Sequence, residues 1–136
     1  MSSPALRIAP SDLAAIRAAA RAALPLEACG LLVGTEADRV SRVEAAANVA
    51  AEPARRFEID PRQLLALHRS LRGTTERLIG HWHSHPLGPP VPSVCDLEMA
   101  HDPEMIWLLV DPKDDTARAW RVVEGGFAEI PIQEVP

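Results

Sequence analysis

The sequence predicts an α/β protein: one layered domain over residues 1–136, with a central mixed β-sheet flanked by helices. Three observations carry that expectation. Helical and extended patterns alternate along the chain instead of segregating. Two continuous apolar runs, Cys29 to Gly34 and Met105 to Val110, have the length and makeup of strands buried on both faces. Finally, 136 residues with 47% hydrophobic and 24% charged side chains suit one core and hardly two.

Each element has a local reason. Leu6 and Ile8 alternate with polar or small neighbours, which predicts a short first strand. Ser11 is the expected N-cap of a helix from Asp12 to Leu24, whose Leu13, Ile16, Ala20 and Leu24 recur at helical spacing, and Pro25 closes it. The apolar run from Cys29 follows, then a loosely alternating strand from Val40 to Val49 and a short one at Arg56–Ile59. Pro61 suits the first turn of a second helix running to Leu71, which Gly73 ends. On that helix His68 lies among leucines and reads as structural. Arg77 to Ser84 is a further strand. Four prolines between residues 86 and 92 exclude regular structure there. Ser93 starts a short helix to about His101, and Met105 to Val110 returns as a strand. Ala117–Val123 and Phe127–Ile132 close the sheet around Gly125-Gly126.

Composition excludes several function classes. No apolar run reaches the ~20 residues of a membrane span, and the first residues lack the basic-then-apolar pattern of a signal peptide. The expected compartment is the cytoplasm, where Cys29 and Cys95 would be thiols. A net charge of −5 argues against a nucleic-acid partner. Residues 1–95 carry eleven basic and nine acidic side chains; residues 96–136 carry three and ten. An acidic C-terminal part reads first as a solvated face.

The chemistry concentrates in Gly80-His81-Trp82-His83-Ser84-His85-Pro86. Side chains at i and i+2 of a strand leave on one face about 6.5–7 Å apart, close enough for two imidazoles to share one zinc ion. His83 and His85 form such a pair, and Trp82 points to the opposite face as a core residue. A catalytic zinc takes three protein ligands and leaves a position for water. His81 could be the third only if the strand bends, since three same-face positions span about 13 Å. Asp96 is the favoured third ligand, because the proline-rich loop reverses the chain and a helix starting at Ser93 brings its carboxylate back over the strand end. His101 lies at a different helical angle from Asp96 and is not expected to join it.

His83-Ser84-His85-Pro86, six residues, then Ser93-x-x-Asp96 resembles the signature of the JAMM (MPN-plus) zinc metallopeptidases. The stretch Pro25-Leu26-Glu27-Ala28-Cys29-Gly30-Leu31-Leu32-Val33-Gly34 resembles the segment that carries the family glutamate. Arg56-Phe57-Glu58-Ile59-Asp60-Pro61 is similar to the segment before the second helix in small stand-alone bacterial members. The likeness runs from about residue 6 to 125. It implies a JAMM/MPN-like, cytidine-deaminase-like architecture and one Zn²⁺ held by His83, His85, Asp96 and a water. It further implies Glu27 as general base and Ser93 as donor to the oxyanion. Ser93 also suits a plain N-cap. Cys29 and Cys95 would lie near the metal, as buried thiols first and as a redox-sensitive disulfide second.

The implied reaction is hydrolysis of the amide bond after the C-terminal Gly-Gly of a ubiquitin-like protein, with a sulfur-carrier protein as the expected partner. A deubiquitinase-like isopeptidase acting on lysine conjugates ranks lower, because so short a chain leaves little room for insertions that would set linkage preference. A non-catalytic binding or scaffold domain of the same fold and a zinc hydrolase of small amides complete the alternatives.

Overall fold

The computed structural model describes residues 5–136. Among them are eight strands and three helices. Strand β1 (Leu6–Ile8) leads into α1 (Pro10–Ala23), then β2 (Cys29–Gly34), β3 (Arg42–Ala46), α2 (Pro61–Leu71) and β4 (Arg77–Ser84). Helix α3 (Val94–Met99), β5 (Ile106–Asp111), β6 (Thr116–Val123), β7 (Gly126–Ile130) and β8 (Ile132–Glu134) follow. The main sheet has the order β3-β2-β4-β5-β6-β7, with β4 and β5 parallel and the other pairs antiparallel. The expected mixed sheet flanked by helices is therefore present.

Several boundaries differ from the sequence expectation. Helix α1 starts at Pro10, whose missing N–H costs nothing in a first turn, so Ser11 lies inside the helix and caps nothing. Leu13, Ile16 and Ala20 are buried, but Leu24 is outside the helix and 41% exposed. Arg56–Ile59 is not a strand; only Ile59 bridges, to Asn48. The strand expected from Val40 to Val49 shrinks to β3, and the short helix expected to His101 stops at Met99. His68 is exposed on α2, whose buried residues are Leu67 and Leu71. Pro131 splits the last expected strand: β7 stays in the main sheet, whereas β8 pairs in parallel with β1. Proline cannot donate to a ladder, which makes it a natural break.

Strand β4 is central to the site, and its neighbours fix how it lies. Gly30 sits opposite Trp82, and a Cβ there would come within 2.2 Å of the indole nitrogen. Glycine thus lets the Trp82 side chain lie across β2. The β2–β4 register slips between Leu32 and Val33, so Ile79 is an unpaired extra residue on β4. Beyond this bulge the alternation is regular. Trp82 joins the cluster beneath α1, and His81 and His83 face the other side with Phe57 and Trp107. Helix α2 packs on that second side through Leu67 and Leu71, against Leu31 and Val33.

Candidate metal centre

The site forms at the carboxyl end of β4. His83 lies within the strand and His85 just after it, its backbone N–H still bonded to Val110 O at 2.9 Å. Ser84, between them, ties β4 to the start of β2. Its Oγ accepts from Ala28 N at 2.8 Å and its N–H donates to Ala28 O at 3.0 Å. That pair of bonds brings Glu27, one residue earlier, beside the imidazoles. One ligand atom each from Glu27, His83 and His85 lies within 4.8 Å of the other two, so these residues could hold a metal ion.

Asp96 completes the cluster from α3. The loop 86–92 reverses the chain and is anchored through two of its carbonyls. Pro89 O contacts His85 Nδ1 at 3.0 Å, and Pro90 O accepts from Trp120 Nε1 at 3.0 Å. Ser93 Oγ accepts from Asp96 N at 3.0 Å while Asp96 Oδ2 accepts from Ser93 N at 2.9 Å, a reciprocal cap that starts the helix. The carboxylate then reaches His83 Nε2 through Oδ1 and His85 Nε2 through Oδ2, each at 3.1 Å.

These contacts have too few protons. Pro89 O only accepts, so His85 Nδ1 carries a hydrogen and neutral His85 presents a lone pair at Nε2. His83 Nε2 stands 3.2 Å from that atom. Two imidazole nitrogens and two carboxylate oxygens thus converge with a surplus of lone pairs, the arrangement a cation satisfies. Around a tetrahedral ion with bonds of ~2.0–2.1 Å, ligand atoms stand ~3.3–3.4 Å apart. The observed 3.1–3.2 Å contacts fit that spacing.

Without an ion, the protein's own electrostatics meet that surplus by favouring protonation of His85. Burial works against the Asp96 charge, but hydrogen bonds from His83 and His85 outweigh it and hold the carboxyl well below its usual range. For His85, burial opposes protonation, while Asp96 and the Pro89 carbonyl favour it and win. Burial pushes Glu27 up to about 7; the His85 charge lowers it and Asp96 raises it. Glu27 is 6% exposed.

His81 does not reach the cluster. Its ring packs 4.2 Å from Trp107 and 5.3 Å from Phe57, and its Nδ1 is buried without a partner. Burial and the neighbouring His83 push its pKa down to about 3. Phe57 also stacks on His83 at 4.3 Å, holding a ring whose own Nδ1 has no partner. Cys29 and Cys95 are both free thiols. Cys29 contacts Ala46 O at 3.7 Å, and burial, then Glu27, pushes it up to about 11. His101 is exposed.

A cleft of about 360 Å³ opens over the centre, lined by Glu27, His85 and Ser93 and walled by Leu87–Pro89 and Val91. Ala54 and Arg55 line it too, from a segment the sequence reading left without a role. Asn48 organises that segment. Its amide donates to Glu27 O (3.0 Å), Pro53 O (3.3 Å) and Arg56 O (3.0 Å), and its oxygen accepts from Ala50 N and Glu58 N, each at 3.1 Å. An asparagine inside an expected strand was the available signal, since asparagine is scarce in strands and common where side chains bond to local backbone.

Residues 10–123 match the family model of prokaryotic homologs of the JAB domain. The chain belongs to this family. A desampylase of Haloferax volcanii is 36% identical over 98 residues, covering 71% of this chain and 70% of that protein. A CysO-cysteine peptidase of Mycobacterium tuberculosis is 32% identical over 125 residues, 89% of this chain and 85% of its own length. Among solved structures, a Desulfitobacterium hafniense protein superposes with a TM-score of 0.83 at 31% identity, covering 96% of this chain and 92% of that one. A JAB1/MPN domain protein of Archaeoglobus fulgidus shares the fold, with a TM-score of 0.65 at 21% identity over 95% of this chain and all of its own. No helix among the described residues is long and apolar enough to cross a membrane.

Proposed function

We propose that this chain, a hydrolase acting on peptide or isopeptide bonds, is a zinc-dependent peptidase that cuts after the C-terminal Gly-Gly of a ubiquitin-like sulfur-carrier protein. It works as one domain over residues 1–136 in the cytoplasm. The observation that carries this reading is the convergence of His83, His85 and Asp96 beside Glu27, with Glu27 and His85 lining the cleft and His83 and Asp96 buried behind them. His83, His85 and Asp96 are the zinc ligands. Two nitrogens and a carboxylate form a donor set that suits zinc and leaves one position open.

Zinc held there would supply a water of lowered pKa and Lewis-acid polarisation of the scissile carbonyl. Glu27 accepts the proton of the attacking water as the new C–O bond forms. It then delivers that proton to the departing amine as the C–N bond breaks. Burial pushes its pKa up, and a cation beside it would favour the ionised form that accepts the proton. Ser93 Oγ uses a lone pair to accept from Asp96 N, so its own hydrogen is left to donate to the oxyanion of the attacked carbonyl.

Relatives named CysO-cysteine peptidase, similar over 89% of this chain, support the carrier as substrate. The decisive assay incubates zinc-loaded protein with Gly-Gly carriers bearing a C-terminal extension, CysO-cysteine and carriers encoded near the gene among them. Mass spectrometry should show the extension released by the parent and retained with Glu27→Ala. Carriers left uncut by both refute the reading. Relatives named desampylases favour a second reading, cleavage of a lysine-branched isopeptide, which a branched conjugate assayed beside the linear one separates.

A further inference from the structure

The cleft over the metal centre contains one permanent cation, Arg55. Its neighbour Arg56 pairs with Glu52 at 3.8 Å, but among the described residues no carboxylate lies within ion-pair distance of the Arg55 guanidinium. The turn that carries it is tied down. Pro53 O accepts from Glu27 N at 2.8 Å, and Asn48 bonds to Glu27 O, Pro53 O and Arg56 O at once. Arg55 and the proposed base Glu27 therefore ride on one hydrogen-bonded unit. Arg55, exposed on this turn, thus lines the Glu27 side of the cleft.

That side has a defined chemical role in hydrolysis. Glu27 returns its proton to the departing amine, so the leaving group lies next to it. When the leaving group is a single C-terminal amino acid, its α-carboxylate is separated from that amine only by Cα. A guanidinium on the same side then meets a carboxylate with the planar, two-pronged geometry it matches best. When the leaving group is a lysine side chain inside a protein, the amine ends a four-carbon stem and carries no carboxylate. We infer that Arg55 is a specificity-determining residue that binds the α-carboxylate of one terminal residue released from the carrier. This inference rests on the Gly-Gly-directed reading of the site and narrows it to linear, one-residue extensions.

The test uses full-length, zinc-loaded protein and CysO-cysteine prepared with its terminal carboxylate either free or amidated. The parent should prefer the free acid by about 10–100-fold in kcat/KM, the range of a lost charge-assisted pair, with most of the difference in KM. Arg55→Gln should bring the acid-to-amide ratio close to one, and Arg55→Lys should restore part of it. Melting temperatures check that the exposed turn tolerates both changes. An acid-to-amide ratio equal in parent and Arg55→Gln overturns the inference while leaving the Gly-Gly reading standing. If the parent cuts neither form, the underlying reading fails, and the role of Arg55 fails with it.

Discussion

The two faces of the central sheet are built from the same strands and do opposite things. Beneath α1, one cluster runs unbroken from Leu6 and Ile8 through Leu32, Trp82, Leu108 and Val110 to Ala119. The other face is split. Leu31, Val33, Leu67 and Leu71 pack under α2, while Cys29, Phe57, Trp107 and Leu109 form a separate group around the histidines. Buried polar atoms lacking partners occur on both faces, at His81 and His83 Nδ1 here and at Trp82 Nε1 beneath α1. The continuous face is uninterrupted apolar packing, and the interrupted one gives up packing to bring the imidazoles beside Glu27 and Asp96. Function is carved from the half of the core that the other half can support.

The largest expected effect falls on the interrupted face. Glu27→Gln should lower kcat by about 10²–10⁴-fold, the usual worth of a positioned proton carrier. It should also stabilise the chelated protein. The folded pKa of Glu27, about 7, lies above its ordinary 4.5, so its contribution to stability is complete below pH 4.5 and disappears as pH rises through 7. A glutamine has no charge to desolvate, so at pH 8 with chelator the variant should melt above the parent, and at pH 4 the gap should close. Thermal melts at both pH values check this.

On the continuous face, Trp82→Ala should cost about 3–5 kcal/mol in denaturant unfolding, because a large ring leaves a cavity. By contrast, Phe57→Leu should lower zinc affinity about tenfold in a chelator competition, with a smaller loss of stability, since Phe57 orients His83 by stacking. Equal effects of these two changes on stability and on metal affinity would erase the distinction between the faces.

The smallest effect is a slope. His81 has a folded pKa of about 3 against an ordinary 6.5, so its contribution is present above pH 6.5 and is lost as pH falls toward 3. His81→Phe should flatten the acid limb of the chelated protein's stability by at most ~1.4 kcal/mol per pH unit, one proton's worth. Urea midpoints between pH 4 and 7 would measure it.

Much of this was legible in the residues. Continuous apolar runs located β2 and β5 because strands buried on both faces leave no polar gaps. The His-x-His spacing located the imidazole pair because strand alternation leaves few other options. Short-range patterns failed where a distant partner decides. Pro10, not Ser11, opens α1, and β8 leaves the main sheet to pair with β1 across the length of the chain. Arg55 was invisible for the same reason, and Asn48 showed only as an asparagine out of place in an expected strand. Their roles come from a loop folded back onto Glu27, and nothing in the spacing of residues 48–58 announces that closure.

One atom of Asp96 carries a further consequence. Oδ2 faces His85 and also accepts the backbone N–H of Ser93, so the first turn of α3 is fastened by an atom of the proposed metal centre. Whatever draws on that oxygen pulls on the helix end. Deuterium uptake at the amides of residues 93 and 96 therefore becomes a gauge of ion loading that requires no substrate.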